Sequence, residues 1–322
     1  MDFLKEISIN SIEGFKIGHA QDAEHGTGCS VIICDEKAIC GVDIRGGGPA
    51  SRETNLLDTN MSNDGINALL LSGGSAYGLD AASGVMQYLE EKGKGVQVGD
   101  SIVPIVPASC IFDLNCASSH VRPDKTMGYA ACVNAEQNLN LQGNVGAGCG
   151  ATVGKFMGPE RSMKSGLGTY AVEICGAKIG AVVIVNAIGD VYEMDSKKEL
   201  AGLLSYDQTT MVSTENEIFK MIRLTSQPGL NTTIGAVITN AKMDKAQANK
   251  LARMASNGIV RTIRPVNTSM DGDSMYAMSV GNVEFNQDLL GSVAALVTAK
   301  AINNAVLNSD PAYGLKSAKS FM

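Results

Sequence analysis

A chain of 322 residues with 44% hydrophobic and 18% charged residues is apolar enough to bury a large core, which excludes a disordered chain. Its net charge of −7, with no dense Lys/Arg cluster, excludes a nucleic-acid surface or a basic membrane-lying helix and suits a small-molecule substrate. Residues 1–15 hold no long apolar stretch and no run of 18 apolar residues exists, so neither a signal peptide nor a membrane span is expected and the location is read as cytoplasmic.

The segment 28–45 reads as a hairpin, GCSVIIC and AICGVDIR, split at Asp35-Glu36-Lys37. A turn-rich loop, Arg45–Ala50, follows. Ile66–Leu71 is an apolar strand, Ser72-Gly73-Gly74-Ser75 a turn, and Ala76–Glu91 an amphipathic helix ended by Gly93. The two prolines of IVPIVPASCIFDL predict an edge strand or an extended loop. Residues 143–155 are a glycine cluster, and 171–192 read as two adjacent buried strands. The polar segment 193–224 reads as an exposed excursion. After it, TIGAVITNA is a strand, Lys242–Ser256 a helix stopped by Asn257-Gly258, and 291–308 a mostly apolar helix. Adjacent strand pairs with helices around them predict a layered α/β protein with antiparallel or mixed sheets, against a doubly wound nucleotide fold.

Few motifs carry chemistry. The eight cysteines all lie before residue 176 and form no CxxC pair, and the three histidines do not complete a zinc set, so reduced thiols and no metal are expected. Gly146-x-Gly148-x-x-Ala151 has the spacing of a dinucleotide loop but no strong strand before it. A Walker reading fails at Cys149 and Phe156, so no cofactor is expected. Asn231-Thr232-Thr233 opens a strand after Pro228-Gly229-Leu230. Downstream, Asp271-Gly272-Asp273 presents two carboxylates in a loop, which suit a Ca²⁺ site, a helix cap or the orientation of a nucleophile. Spacing alone does not choose among these.

Several stretches together resemble the self-processing aminopeptidases, D-amino-acid esterases and amidases of the β-peptidyl aminopeptidase type, and within them the nylon-oligomer hydrolase branch. They are TGCSVII (27–33), DIRGGGPASRET (43–54), LLLSGGSAYGLDAASGVM (69–86), VPIVPASCIFDL (103–114), NVGAGCGATVGK (144–155), SGLGT (165–169), VNA (185–187), NTTIGAVITNA (231–241) and RPVNTSMDGDSMYA (264–277). The resemblance implies an αββα four-layer sandwich like that of N-terminal nucleophile hydrolases, with its own strand connectivity. It implies one domain, 1–322, that cuts itself between Asn231 and Thr232 into an α-subunit, 1–231, and a β-subunit, 232–322, and assembles as a homo-oligomer, a tetramer of processed units. It also implies Thr232 as nucleophile, Asp271 and Asp273 as its paired acids, Asn186 as oxyanion donor and Lys155 in the catalytic centre.

Those residue types are chemically coherent. A freed α-amine titrates near 7.7–8.0 in model compounds and serves as base for the hydroxyl of its own residue. Two positions depart from the family: Phe112 stands where parts of it carry a Tyr, and a Phe donates no hydrogen bond. Ser165 stands where glycine is frequent. Ser72, Ser75 and Tyr77, at a turn leading into a helix, are candidates for lining the substrate pocket beside Phe112, with Tyr77 as a packed core residue the competing reading. Two rivals remain at this level: an acyltransferase of the ornithine acetyltransferase type, whose Ala-Thr-Met cleavage context is missing here, and an uncut binding protein of the same fold.

Overall fold

The computed structural model describes residues 3–221 and 231–322. Strand β1 (Phe15–Asp22) is followed by β2 (Thr27–Ile44), β3 (Ile66–Ser72), helix α1 (Ala81–Glu91), β4 (Ala108–Cys110) and α2 (Lys125–Ala135). Then come β5 (Leu167–Ile174), β6 (Ala177–Asn186), α3 (Thr214–Lys220), β7 (Thr232–Ala241), α4 (Lys245–Thr262), β8 (Ser274–Val283) and α5 (Gln287–Leu307). One sheet runs Lys5–Ile7, β5, β6, β7, β8 and the second half of β2; the other holds β1, the first half of β2, β3, β4 and Ala50–Arg52. Pairing is antiparallel except for β7 with β8 and β3 with β4, so the sheets are mixed.

Strand periodicity builds four layers, because alternate side chains leave a strand on opposite faces. In β6, Val183 and Val185 pack outward with Leu251, Ala255, Val297 and Ala301 of α4 and α5. Their neighbours Val182 and Ile184 point inward, to meet Ile32, Leu69 and Leu71 across the sandwich. In β2, Val31 and Ile33 face the other way and pack with Val85 and Leu89 of α1 and Ala131 of α2. The order helices, sheet, sheet, helices is the expected αββα sandwich.

Three local expectations are corrected. Residues 28–45 are not a hairpin but one strand of 18 residues, with a register irregularity between Ile33 and Ala38. Its halves pair with different sheets, so tertiary pairing on both sides of Asp35-Glu36-Lys37 outweighs the local turn signal. Helix α4 continues through Asn257-Gly258 to Thr262. There Gly258 lets two helices touch: a Cβ would lie 2.5 Å from Ala295 O of α5. The segment 193–224 is not wholly exposed, since Ala201, Leu203, Leu204 and Thr214 are buried. Residues 222–224 of that segment, and the Pro228-Gly229-Leu230 lead into Asn231, lie outside the described residues. Helix α5 is apolar and long enough by composition to cross a membrane, yet 72% of that stretch is buried inside the protein.

Candidate active site

Thr232 opens β7 between two neighbours that bring the candidate residues to it. On one side it pairs with Asn186, the last residue of β6. On the other, Asn231 bridges Asp271, just before β8 begins. The sequence distance of 39 residues between Thr232 and Asp271 thus collapses because β7 and β8 are parallel neighbours joined over α4. Thr232, Asn231, Asp271, Asp273, Asn186 and Lys155 are all buried. The Thr232 hydroxyl donates to the carbonyl oxygen of Asn231, the bond that precedes it.

The two acids are held by backbone donors. Asp271 Oδ2 accepts from Thr268 N at 2.7 Å, Asp273 Oδ1 from Thr233 N at 2.5 Å, and Asp273 Oδ2 from Asn267 N at 2.9 Å. Oxygens turned to N–H groups suit an orienting pair and not a calcium shell, which needs six to eight free oxygen donors. The loop Arg45–Gly48 clasps the same tripeptide from outside. Arg45 N donates to Asp273 O at 3.0 Å and Gly48 N to Asp271 O at 2.8 Å.

Lys155 reaches the site from the end of the glycine cluster, and its Nζ donates to Asn186 O at 2.8 Å. The Asn186 side chain spans two loops: Oδ1 accepts from Thr152 N at 3.0 Å, and Nδ2 donates to Phe112 O at 2.9 Å. The next residue, Asp113, accepts from Thr27 Oγ1 at 2.8 Å and from Gly74 N at 2.7 Å. Hydrogen bonds to the adjacent residues Phe112 and Asp113 therefore tie the Ser72–Ser75 turn to Asn186 and so to β7. Within that turn region Ser72 is fully buried, whereas Tyr77 is 61% exposed and lies under the Arg122 guanidinium, 3.7 Å from its ring centre, so Tyr77 is not a core residue. A cavity of about 170 Å³ opens nearby, lined by Thr152, Cys116, Asn115, Ser162 and Leu315.

Sequence reasoning missed Asp113 and Lys164. Lys164 is fully buried and donates to the carbonyls of Gly148, Ala151 and Ser165, which explains the glycine cluster as a packed turn tied to a lysine. Its only sequence signal was a charge between apolar and glycine-rich runs. Asp113 stood inside a quoted motif but carried no partner in sequence.

Burial sets the electrostatics. It pushes Asp271 upward, and it pushes Asp273 up to about 7, with the Asp271 charge adding to the effect. Burial also brings Lys155 down to about 7, against the pull of Asp271 first and then of Cys116, Asp113 and Asp273. Groups poised near neutrality around one buried threonine hydroxyl suit proton transfer. The sign for stability follows. Lys155 titrates lower folded than unfolded, so its contribution is full above the unfolded value of 10.5 and is lost as pH falls toward 7. Lys155→Met should abolish that loss: the wild-type melting temperature should fall between pH 10 and 7 more steeply than the variant's. Parallel curves would place the shifted amine elsewhere.

Solved structures share this architecture. A Burkholderia sp. beta-aminopeptidase superposes with a TM-score of 0.68 at 18% identity, covering 95% of this chain and 88% of that one. The L-aminopeptidase D-Ala-esterase/amidase of Ochrobactrum anthropi, described as a variant of the Ntn hydrolase fold, gives 0.69 at 17% identity, covering 94% and 86%. The fold is therefore of the Ntn-hydrolase type. The model for Peptidase family S58 matches residues 8–320, and the chain belongs to that family. It is a hydrolase of amide and peptide bonds. Among its relatives are an uncharacterized aminopeptidase of Mycobacterium leprae, 38% identical over 86% of this chain and 79% of the relative, and a 6-aminohexanoate-oligomer endohydrolase of Kocuria sp., 30% identical over 91% and 84%.

Proposed function

We propose that this hydrolase cuts its own Asn231–Thr232 bond and then uses Thr232, now an N-terminus, to hydrolyse short peptides or linear oligoamides through an acyl-Thr232 intermediate. The observation that carries this reading is the Thr232 hydroxyl resting on the Asn231 carbonyl, within a buried layer of Asp271, Asp273, Lys155 and Asn186. Cleavage frees an α-amine beside the hydroxyl, which then acts as its base. Asp271 and Asp273 orient the nucleophile, Lys155 offsets negative charge, and the remaining N–H of Asn186 serves the oxyanion formed on substrate. Ser72, Ser75, Tyr77 and Phe112 border the substrate side. Relatives named as aminopeptidases and as 6-aminohexanoate-oligomer endohydrolases support an amide substrate.

The pieces 1–231 and 232–322 stay together in this reading. The second piece supplies β7, β8, α4 and α5, and its loss would expose the outer core. The same reading includes a cytoplasmic location and assembly of processed units into a homo-oligomer, a tetramer. The test is mass and N-terminal analysis of the purified protein, with light scattering for the assembly. Two fragments are expected, the smaller beginning Thr-Thr-Ile-Gly-Ala-Val. A native fragment with another N-terminus refutes the site. Amine release from a panel of aminoacyl amides and 6-aminohexanoate oligomers then identifies the substrate class.

A further inference from the structure

Self-cleavage requires a donor for the oxygen of Asn231, and Asn186 is not placed for that step. One of its amide N–H groups is spent on Phe112 O, and its partner across the sheet is Thr232, not the carbonyl of Asn231. The backbone N–H of Gly272 points at that oxygen instead, at 3.0 Å. We propose that Gly272 N–H is the oxyanion donor of the self-cleavage step, a role that rests on the cleavage reading above.

The step balances without a co-reactant other than water. Thr232 Oγ bonds to the Asn231 carbonyl carbon, and the carbonyl π pair moves onto the oxygen held by Gly272. As that pair returns, the C–N bond breaks and the hydroxyl proton ends on the Thr232 nitrogen. Water then adds to the ester, the Oγ–C bond breaks, Thr232 regains its hydroxyl, and the acid left on Asn231 gives its proton to the freed Thr232 amine and stays a carboxylate.

Two features make this donor a built one. First, it is fixed in advance, which is where an oxyanion donor derives its effect. Each residue flanking Gly272 is held at both its carboxylate and its carbonyl: Asp271 by Thr268 N and Gly48 N, Asp273 by Thr233 N, Asn267 N and Arg45 N. The Gly272 carbonyl itself accepts from Ser274 Oγ at 3.0 Å. The N–H therefore has little freedom to turn away. Second, the residue has to be glycine. A Cβ at 272 would lie 2.9 Å from Thr232 Oγ1 and 3.0 Å from Gly48 O, so a side chain would press on the nucleophile. A glycine between two acids thus leaves the hydroxyl its place and lends it a donor.

Proline alone among the natural residues lacks the N–H, and its ring would press on Thr232 Oγ1 and Gly48 O as any Cβ would, so the experiment replaces the amide itself. Glycolate in place of Gly272, introduced by nonsense suppression in cell-free translation, changes that N–H to an ester oxygen and otherwise only weakens the Asp271 carbonyl as acceptor for Gly48 N. The control is glycolate in place of Gly48, which loses the 2.8 Å bond to Asp271 O in the same loop but leaves the donor to Asn231 untouched. Appearance of fragment 232–322 is timed by mass spectrometry, which separates it from any product of ester hydrolysis at 271. The 272 ester should cut about 10²–10³-fold more slowly than the wild type. The 48 ester should stay within about tenfold of it, since it lacks only an ordinary hydrogen bond. A 272 ester that cuts as fast as the wild type overturns the donor alone. Equal slowing in both esters also overturns it, because loop integrity then explains the effect. A wild-type chain that never yields fragment 232–322 overturns the cleavage reading and the donor with it.

Discussion

Thr232→Ala should remain a single chain of 322 residues and release no amine from any peptide or oligoamide. The hydroxyl is required twice in this scheme, once to attack the Asn231 carbonyl it already touches and once as the nucleophile toward substrate. Loss of a nucleophile of this kind costs about 10⁶-fold in rate, so the variant should be silent in practice. Thr232→Ser keeps the hydroxyl and should still cut at an altered rate, because loss of the β-branch frees χ1 and spreads the hydroxyl over more orientations. Thr233→Ala is the control. The Thr233 side chain is buried on the opposite face of β7, and its hydroxyl has no hydrogen-bond partner among the described residues. Its removal should leave processing intact and retain activity. Gel analysis and amine release, read on the same preparations, check the set. Normal cleavage of Thr232→Ala beside a blocked Thr233→Ala would move the nucleophile one residue on.

Asp273→Asn should slow processing by about 10²-fold or more, the scale of a lost acid–base group. The carboxylate accepts from two backbone N–H groups, those of Thr233 and Asn267. An amide offers one oxygen, and its NH₂ must then face a donor, which frees the start of β7 to shift. The pH profile separates this role from a merely structural one. In the wild type, processing should rise as pH passes about 7, where Asp273 ionises. Asp273→Asn should lack that limb. Asp271→Asn removes a neighbouring negative charge that helps raise Asp273, so its limb should move to lower pH. An unchanged limb in both variants would assign the titration to another group, Lys155 first.

Much of this was legible before folding is considered. Periodicity located β3, β5, β6, β7 and α5, because each carries its own apolar pattern. The quoted stretches, taken together, led to the αββα class and to Thr232, Asp271, Asp273, Asn186 and Lys155, residues that the fold brings to one buried layer. The errors share a cause. Asp35-Glu36-Lys37 looks like a turn and Asn257-Gly258 like a helix stop, because both signals are local. In the folded protein β2 is kept extended by partners on two sheets, and Gly258 is needed by a helix crossing instead of a helix end.

By itself, then, the sequence determined the layered α/β class, since period suffices for that, while the nucleophile candidate and the acids around it came from the family resemblance of the quoted stretches and not from residue type or spacing. The tertiary structure alone decided which donor meets the Asn231 oxygen. It also decided that Asn186 braces Phe112 and Thr152, that Asp113 and Lys164 are buried charges, and that Tyr77 lies outside the core. Each of these depends on backbone groups brought together from distant parts of the chain. A backbone N–H has no letter of its own in the sequence, and a carboxylate or amine acquires its pKa only from the burial and neighbours that folding supplies.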